Sequence, residues 1–378
     1  MRIFFGILAL ASAALAQTAP PAAPARPAPR PAVISPEIHP DHTLTFRFRD
    51  PNAKVVMLAL EGSKPLAMEK DESGVWSVTT PPLEPDYYGY SFQADGVSLL
   101  DPGNSLFKPN LLNVNSMVHV PGPSTLPWEV NDIPHGVIEH HFYKSGIIGD
   151  QRDYFVYTPP GYDARAKQRY PVLYLLHGMS DDASAWTANG QANVILDNLI
   201  AEGKAKPMIV VMTLGYGAPE IVSRTRRPGN DPDLSTRNYE RFRDSLLGEV
   251  IPQIEKQYRV RTDRLSRAIT GLSMGGYESE FIGLNAIDRF AWIGAFSAGG
   301  RATDYDKLYP KLDEKANSQL KLLWIACGVD DGLIASNRKF REWLKGKNIK
   351  VTEIETPGVH SWMVWRRNLA AFTPLLFR

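Results

Sequence analysis

Ser273, His360 and a pair of aspartates carry the residue types that covalent acyl chemistry requires, in an order that permits it. Ser273 lies in Gly271-Leu272-Ser273-Met274-Gly275, directly after the apolar run Ala268 to Thr270 and before a helix-like stretch from Tyr277 to Ala286. A strand–turn–helix of this kind holds a serine in a strained backbone position, and the flanking glycines leave no β-carbons to collide. The helix N-terminus behind the serine also favours developing negative charge. A serine hydroxyl still needs a base, and the base needs a carboxylate to orient it. Of the eight histidines only His360 follows Ser273, in a loop after the strand-like run Val351 to Ile354. The acid is expected between them, in Cys327-Gly328-Val329-Asp330-Asp331-Gly332. Spacing alone does not separate Asp330 from Asp331.

His177 ends another apolar run, Pro171 to Leu176. Standing upstream of the serine, it is in the wrong order for a base, and its expected role is to brace the loop that follows. Two backbone N–H groups, of Met179 in that loop and of Met274 after the serine, are the candidate oxyanion-hole donors. Trp186, Tyr216 and Trp362 follow strand ends, and line a pocket for an aromatic acid or pack its rim. Glu139-His140-His141 lacks the helical spacing or cysteine partners of a metal site and reads as a partly exposed strand. No metal is expected. No phosphate-binding glycine motif occurs, so no nucleotide cofactor is implied. The basic run Ser223 to Arg227 reads as a solvated loop near the rim.

The elements that must position these residues alternate along the chain. From about Glu129 onward, compact apolar runs at Pro171 to Leu176, Met208 to Met212, Ala268 to Thr270, Trp292 to Phe296, Leu322 to Ala326 and Val351 to Ile354 are separated by amphipathic stretches. Such alternation predicts a mostly parallel sheet with helices on both faces, whose chemistry sits at the carboxyl ends of the strands. Residues 37–125 show short strands punctuated by Gly, Pro and Asp-Gly, which predicts an antiparallel, immunoglobulin-like β-sandwich. Residues 17–36 are rich in Pro and Ala and read as an extended tether.

Residues 1–16 have the form of an export signal: Arg2, a short apolar core, then Ala14-Leu15-Ala16, with cleavage expected after Ala16 into periplasm or medium. The apolar core is too short for a bilayer span. A formal net charge of +1 on 378 residues supplies no basic excess for nucleic acid or an anionic membrane surface. The single cysteine, Cys327, ends an apolar run and is expected to be a buried structural thiol.

The segments YLLHGMSDDASAW, IPQIEKQYRV, ITGLSMGGYES and PGVHSWMVWRRNL resemble the putative-esterase family, which includes esterase D-like enzymes and the feruloyl and acetyl-xylan esterases of carbohydrate esterase family 1. The resemblance covers most of the chain from about His140 and implies an α/β hydrolase fold over residues 129–378. It implies a Ser273–His360 pair whose acid, at the fourth position of Gly328-Val329-Asp330-Asp331, is Asp331. FRFRDPNAKVVMLAL, GVWSVTT and YYGYSFQADG look like the isoamylase-type domain related to carbohydrate-binding module family 48. The pairing implies a secreted enzyme that removes feruloyl or acetyl groups from an acylated polysaccharide such as arabinoxylan, without a cofactor. Enterobactin-esterase-like hydrolysis, acyl transfer to a sugar and a non-catalytic glycan scaffold are the competing readings. Oligomeric state is left open.

Overall fold

Leu173 and Leu175 face one way from their strand and Val172, Tyr174 and Leu176 the other, and all five are buried. Each set joins a different hydrophobic cluster, which is what a strand covered by helices on both faces demands. That strand, Val172–Leu176, belongs to an eight-stranded sheet. In spatial order its members are Val137–Lys144, Gln151–Thr158, Ile209–Thr213, Val172–Leu176, Arg267–Gly271, Trp292–Phe296, Leu322–Gly328 and Thr352–Thr356. The first two pair antiparallel and the remaining six run parallel. The segment containing Glu139-His140-His141 is the edge strand. His140 bonds Asp153 and His141 bonds Tyr258 there.

The computed structural model describes residues 32–223, 231, 233–299 and 304–378. The expected export signal, most of the tether and the run Arg224–Arg227 lie outside the described residues. Residues 34–378 form one compact unit. No helix among the described residues is long and apolar enough to cross a membrane.

Element positions follow the apolar runs, with shifts that have local causes. The helix read from Tyr277 begins at Met274, immediately after the strained serine. The long helix read from Tyr239 to Tyr258 spans Leu234–Ser245, a π-helical turn at Leu246–Val250 and Ile251–Gln257. Pro252 lies just past the wide turn; it has no N–H to donate and its ring crowds the preceding turn. The C-terminal helix starts at Trp362 and ends at Phe372, where a 3₁₀ turn carrying Pro374 takes over. Cys327 is fully buried, and burial pushes its thiol up to about 12, so it is inert at neutral pH.

Residues before about 121 form two antiparallel sheets, one of four strands and one of six. Alternating residues such as Leu44, Phe46, Phe48, Leu58, Tyr90 and Phe92 meet in one core. Met363, from the C-terminal helix of the other half, packs against that same core. A buried ion pair ties the halves further: Arg366 Nε donates to Asp86 Oδ1 at 2.7 Å, and Arg366 also donates to the Tyr87 and Asn189 carbonyls.

Candidate active site

The strand Arg267–Gly271 runs into a turn in which Ser273 adopts φ 52° and ψ −113°, an unfavourable conformation for a residue with a β-carbon. A β-carbon on Gly271 would lie 2.6 Å from the Leu176 carbonyl oxygen. One on Gly275 would lie 2.5 Å from the carbonyl oxygens of Leu176 and His177. Only glycine lets the turn nest this closely against the neighbouring strand. Ser273 N–H is tied to the Phe296 carbonyl at 2.8 Å, which fixes the side chain at the carboxyl edge of the sheet.

His360 follows the strand Thr352–Thr356 and reaches Ser273. Its Nε2 stands 3.0 Å from Ser273 Oγ and its Nδ1 2.8 Å from Asp331 Oδ2. The Trp365 ring meets the imidazole edge-on at 4.9 Å. The Asp331 carboxylate is fully buried, whereas the His360 side chain is 36% exposed. Burial alone would raise the Asp331 carboxyl; hydrogen bonds from His360 and the Leu333 N–H outweigh it and hold the group below the ordinary aspartate value. Asp330 is exposed, and its backbone N–H donates to the Gly358 carbonyl at 3.1 Å. The two aspartates that spacing could not separate therefore have opposite environments.

His177 is buried and neutral. Its Nδ1–H donates to the Gly178 carbonyl at 2.8 Å, and its Nε2 accepts the Gly215 N–H at 2.9 Å. Burial lowers its pKa to about 4, consistent with that donor–acceptor pattern. The ring thus clamps the start of the 178–181 loop to the neighbouring strand end. Tyr216 hydroxyl closes the loop's far side by donating to the Asp181 carbonyl at 2.8 Å. Met179, Ser273 and Met274 all border one cavity of about 790 Å³.

The 178–181 loop is also held from the N-terminal sheets. Asn110 Nδ2 lies 3.0 Å from both Ser180 Oγ and Asp181 Oδ1, and Leu111 N–H donates to the Ser180 carbonyl at 2.7 Å. Burial pushes the Asp181 carboxyl up to about 7, opposed by Asn110 and Lys108. Glu61, Lys108 and Asn110 border a second space, of about 270 Å³, shared with Ser273 and His360. The chain's first third carries no motif that points to this reach.

The aromatic residues expected near a pocket divide differently. Trp186, Tyr216 and Trp362 are 1%, 3% and 2% exposed, so packing outweighs a rim role for all three. Trp186 donates to the Leu176 carbonyl at 2.9 Å and stands edge-on to Trp362, which makes it a core residue and corrects its reading as a pocket wall. Trp362 and Tyr216 reach cavity walls while remaining buried. The large cavity beside Ser273 is instead lined by Tyr239, Tyr277 and Phe281. Tyr277 stands one helical turn beyond Ser273, a spacing that could have signalled it; Tyr239 comes from a distant helix. Among the described residues no cluster of three or more His, Cys, Asp or Glu side chains could hold a metal ion.

The mostly parallel sheet covered by helices on both faces defines a class by its fold: the α/β-hydrolase-like proteins. Within it the chain belongs to the family described as putative esterase, whose model matches residues 145–376. An endo-1,4-beta-xylanase/feruloyl esterase of Xylanibacter ruminicola is 32% identical over 341 residues, 88% of this chain. The match spans only 44% of that protein's length. A CE1 ferulic acid esterase of Anaeromyces mucronatus superposes with TM-score 0.58 at 24% identity, over 68% of this chain and 96% of the other. The enterobactin esterase of Shigella flexneri superposes with TM-score 0.65 at 18% identity, over 88% of this chain and 92% of the other. These two superpositions show the fold, and the second extends it into the N-terminal sheets.

Proposed function

We propose that this chain is an exported serine carboxylic ester hydrolase that removes acyl groups, feruloyl in the first place and acetyl in the second, from a hemicellulose such as arabinoxylan. The single observation that carries the reading is the hydrogen-bonded chain from buried Asp331 through His360 to Ser273 on its strained turn. His360 takes the Ser273 proton as Oγ attacks the ester carbonyl, and Asp331 holds the imidazole in the required tautomer. The oxyanion is received by the N–H groups of Met179 and Met274. His360 then returns the proton to the departing sugar hydroxyl, and water activated by the same ring releases the acid.

Proton return places the alcohol on the side of His360, in the smaller, polar space lined by Lys108 and Asn110. The acyl group then occupies the larger cavity, whose Tyr239, Tyr277 and Phe281 suit an aromatic acid and exceed what acetate needs. The name of the Xylanibacter relative supports the same choice. The N-terminal sheets, read as an immunoglobulin-like, carbohydrate-binding-module-type unit, form one wall of the alcohol side. The signal-like residues before Gln17 support export.

The test is to incubate the protein with feruloylated and acetylated xylo-oligosaccharides and identify the released acid. Ferulate release that disappears in Ser273→Ala is expected; release undiminished in that variant would overturn the nucleophile, and release of acetate alone would overturn the acyl assignment.

A further inference from the structure

A third cavity, of about 620 Å³, lies on the far side of the 178–181 loop and contains none of Ser273, His360 or Asp331. Leu111, His140, Asp153, Phe155, Asp182 and Tyr216 are among its walls. It adjoins the alcohol-side space across one ridge. Asn110 borders that space while Leu111 borders the third cavity, and Asp181 and Asp182 divide between the two in the same way. The ridge is rigid, because Asn110 bonds Ser180 and Asp181 and the Leu111 N–H bonds the Ser180 carbonyl.

The walls specify the chemistry of an occupant. On the sheet edge, His140 pairs in register with Phe155 and stacks on it at 3.9 Å and 14°. Phe142, two residues along the same face, packs on His140 at 4.2 Å and is 66% exposed. These rings, with Phe142 tilted 44° to His140, form a partly solvated aromatic platform beside the cavity. Asp150, Asp153 and Asp182 supply hydrogen-bond acceptors. The buried Arg152 guanidinium is engaged with the Leu214 carbonyl and Asp150, so it is not available to an anion. Among the described residues of the wall no cation is spare, which disfavours anionic ligands, while a ring platform with carboxylates suits a neutral, hydroxyl-rich ring that offers C–H faces to the rings and O–H donors to the acids.

We propose that this cavity is an accessory subsite for neutral sugar residues of the polysaccharide main chain, beyond the sugar that bears the ester. The inference rests on the esterase reading above and adds a second region to it. A chain whose esterified hydroxyl lies beside His360 crosses the Asn110–Asp181 ridge and lays its next rings against the His140–Phe155 platform. Binding there lowers KM for polymeric substrates and leaves the chemical step untouched.

The experiment compares the full chain with Phe142→Ala and Asp153→Asn, using methyl ferulate and a long feruloylated xylo-oligosaccharide. Asp182 is left unchanged because its carboxylate also holds the turn at Ser184. The expected result is a KM for the oligosaccharide raised about tenfold with kcat retained, and kcat/KM for methyl ferulate within about twofold of the parent, which also reports an intact fold. Oligosaccharide kinetics unchanged in both variants, or equal losses on both substrates, would overturn the subsite while leaving the esterase reading in place. A parent protein inactive on both esters would overturn the esterase reading and the subsite with it.

Discussion

Glu61 Oε1 accepts the backbone N–H of Trp362 at 3.1 Å, across 301 positions of sequence. Trp362 opens the C-terminal helix two residues after His360, so a carboxylate of the N-terminal sheets caps the helix that follows the histidine. The other oxygen of Glu61 takes the Gly89 N–H at 2.9 Å and the Lys108 ammonium at 2.7 Å. Burial pushes the Glu61 carboxyl up, but Lys108 and these hydrogen bonds hold it below its ordinary value of 4.5.

A carboxylate held below its ordinary value stabilises the fold above that value, and the contribution is lost as pH falls through the folded pKa. Glu61→Gln is therefore expected to cost roughly 1–3 kcal/mol near neutral pH, because it leaves the Lys108 ammonium without its partner. Urea denaturation should show the gap between parent and variant narrowing below about pH 4. A gap independent of pH would contradict the ion-pair account.

Asp331→Asn is expected to lower kcat by roughly 10³–10⁴-fold with KM little changed, since the amide favours the wrong imidazole tautomer. Asp330→Asn should stay within about twofold of the parent. Hydrolysis of p-nitrophenyl acetate measures both, and the opposite ranking would assign the orienting role to Asp330.

Tyr277→Ala is expected to raise KM for methyl ferulate about tenfold while p-nitrophenyl acetate turnover changes little, because under the proposed assignment only the aromatic acyl group reaches the Tyr239–Tyr277 wall. Equal effects on the two esters would move the acyl group out of that cavity.

Glu278, on the helix that follows the serine, is fully buried, and among the described residues neither of its carboxylate oxygens has a hydrogen-bond partner. Burial raises its pKa well above 4.5. The unfolded chain ionises first as pH rises, so this group destabilises the fold progressively from about pH 4.5 up to its folded pKa. Glu278→Gln should accordingly raise the melting temperature at pH 8, by roughly 1–3 kcal/mol in free energy, and change it little at pH 4. Equal shifts at both values would show that packing, not ionisation, dominates.

Much of this was legible in the sequence because parallel strands buried on both faces read as short continuous apolar runs, and catalytic loops follow their carboxyl ends. Ser273, His360 and the aspartate pair each stand just after such a run, and the glycines around the serine announce a turn that tolerates no β-carbon. The choice between Asp330 and Asp331 depended on which carboxylate turns inward, a matter of one residue's direction that spacing does not encode. Trp186 was misleading for a related reason: a tryptophan after a strand end reads the same whether its ring faces the cavity or the core. Glu61 and Asn110 left no local signal, since their contacts are made with loops far along the chain.

Arg366 and Asp86 carry a consequence for how such a protein can diversify. Each is buried against the other, with Arg367 3.3 Å from the second Asp86 oxygen, and removing Asp86 alone would leave the Arg366 guanidinium buried without its carboxylate, at a cost of several kcal/mol. Recombination that joined this C-terminal half to a foreign N-terminal one would strand the guanidinium against an unmatched surface. Exchange of either half is therefore expected to be tolerated best where positions 86 and 366 are kept or changed together.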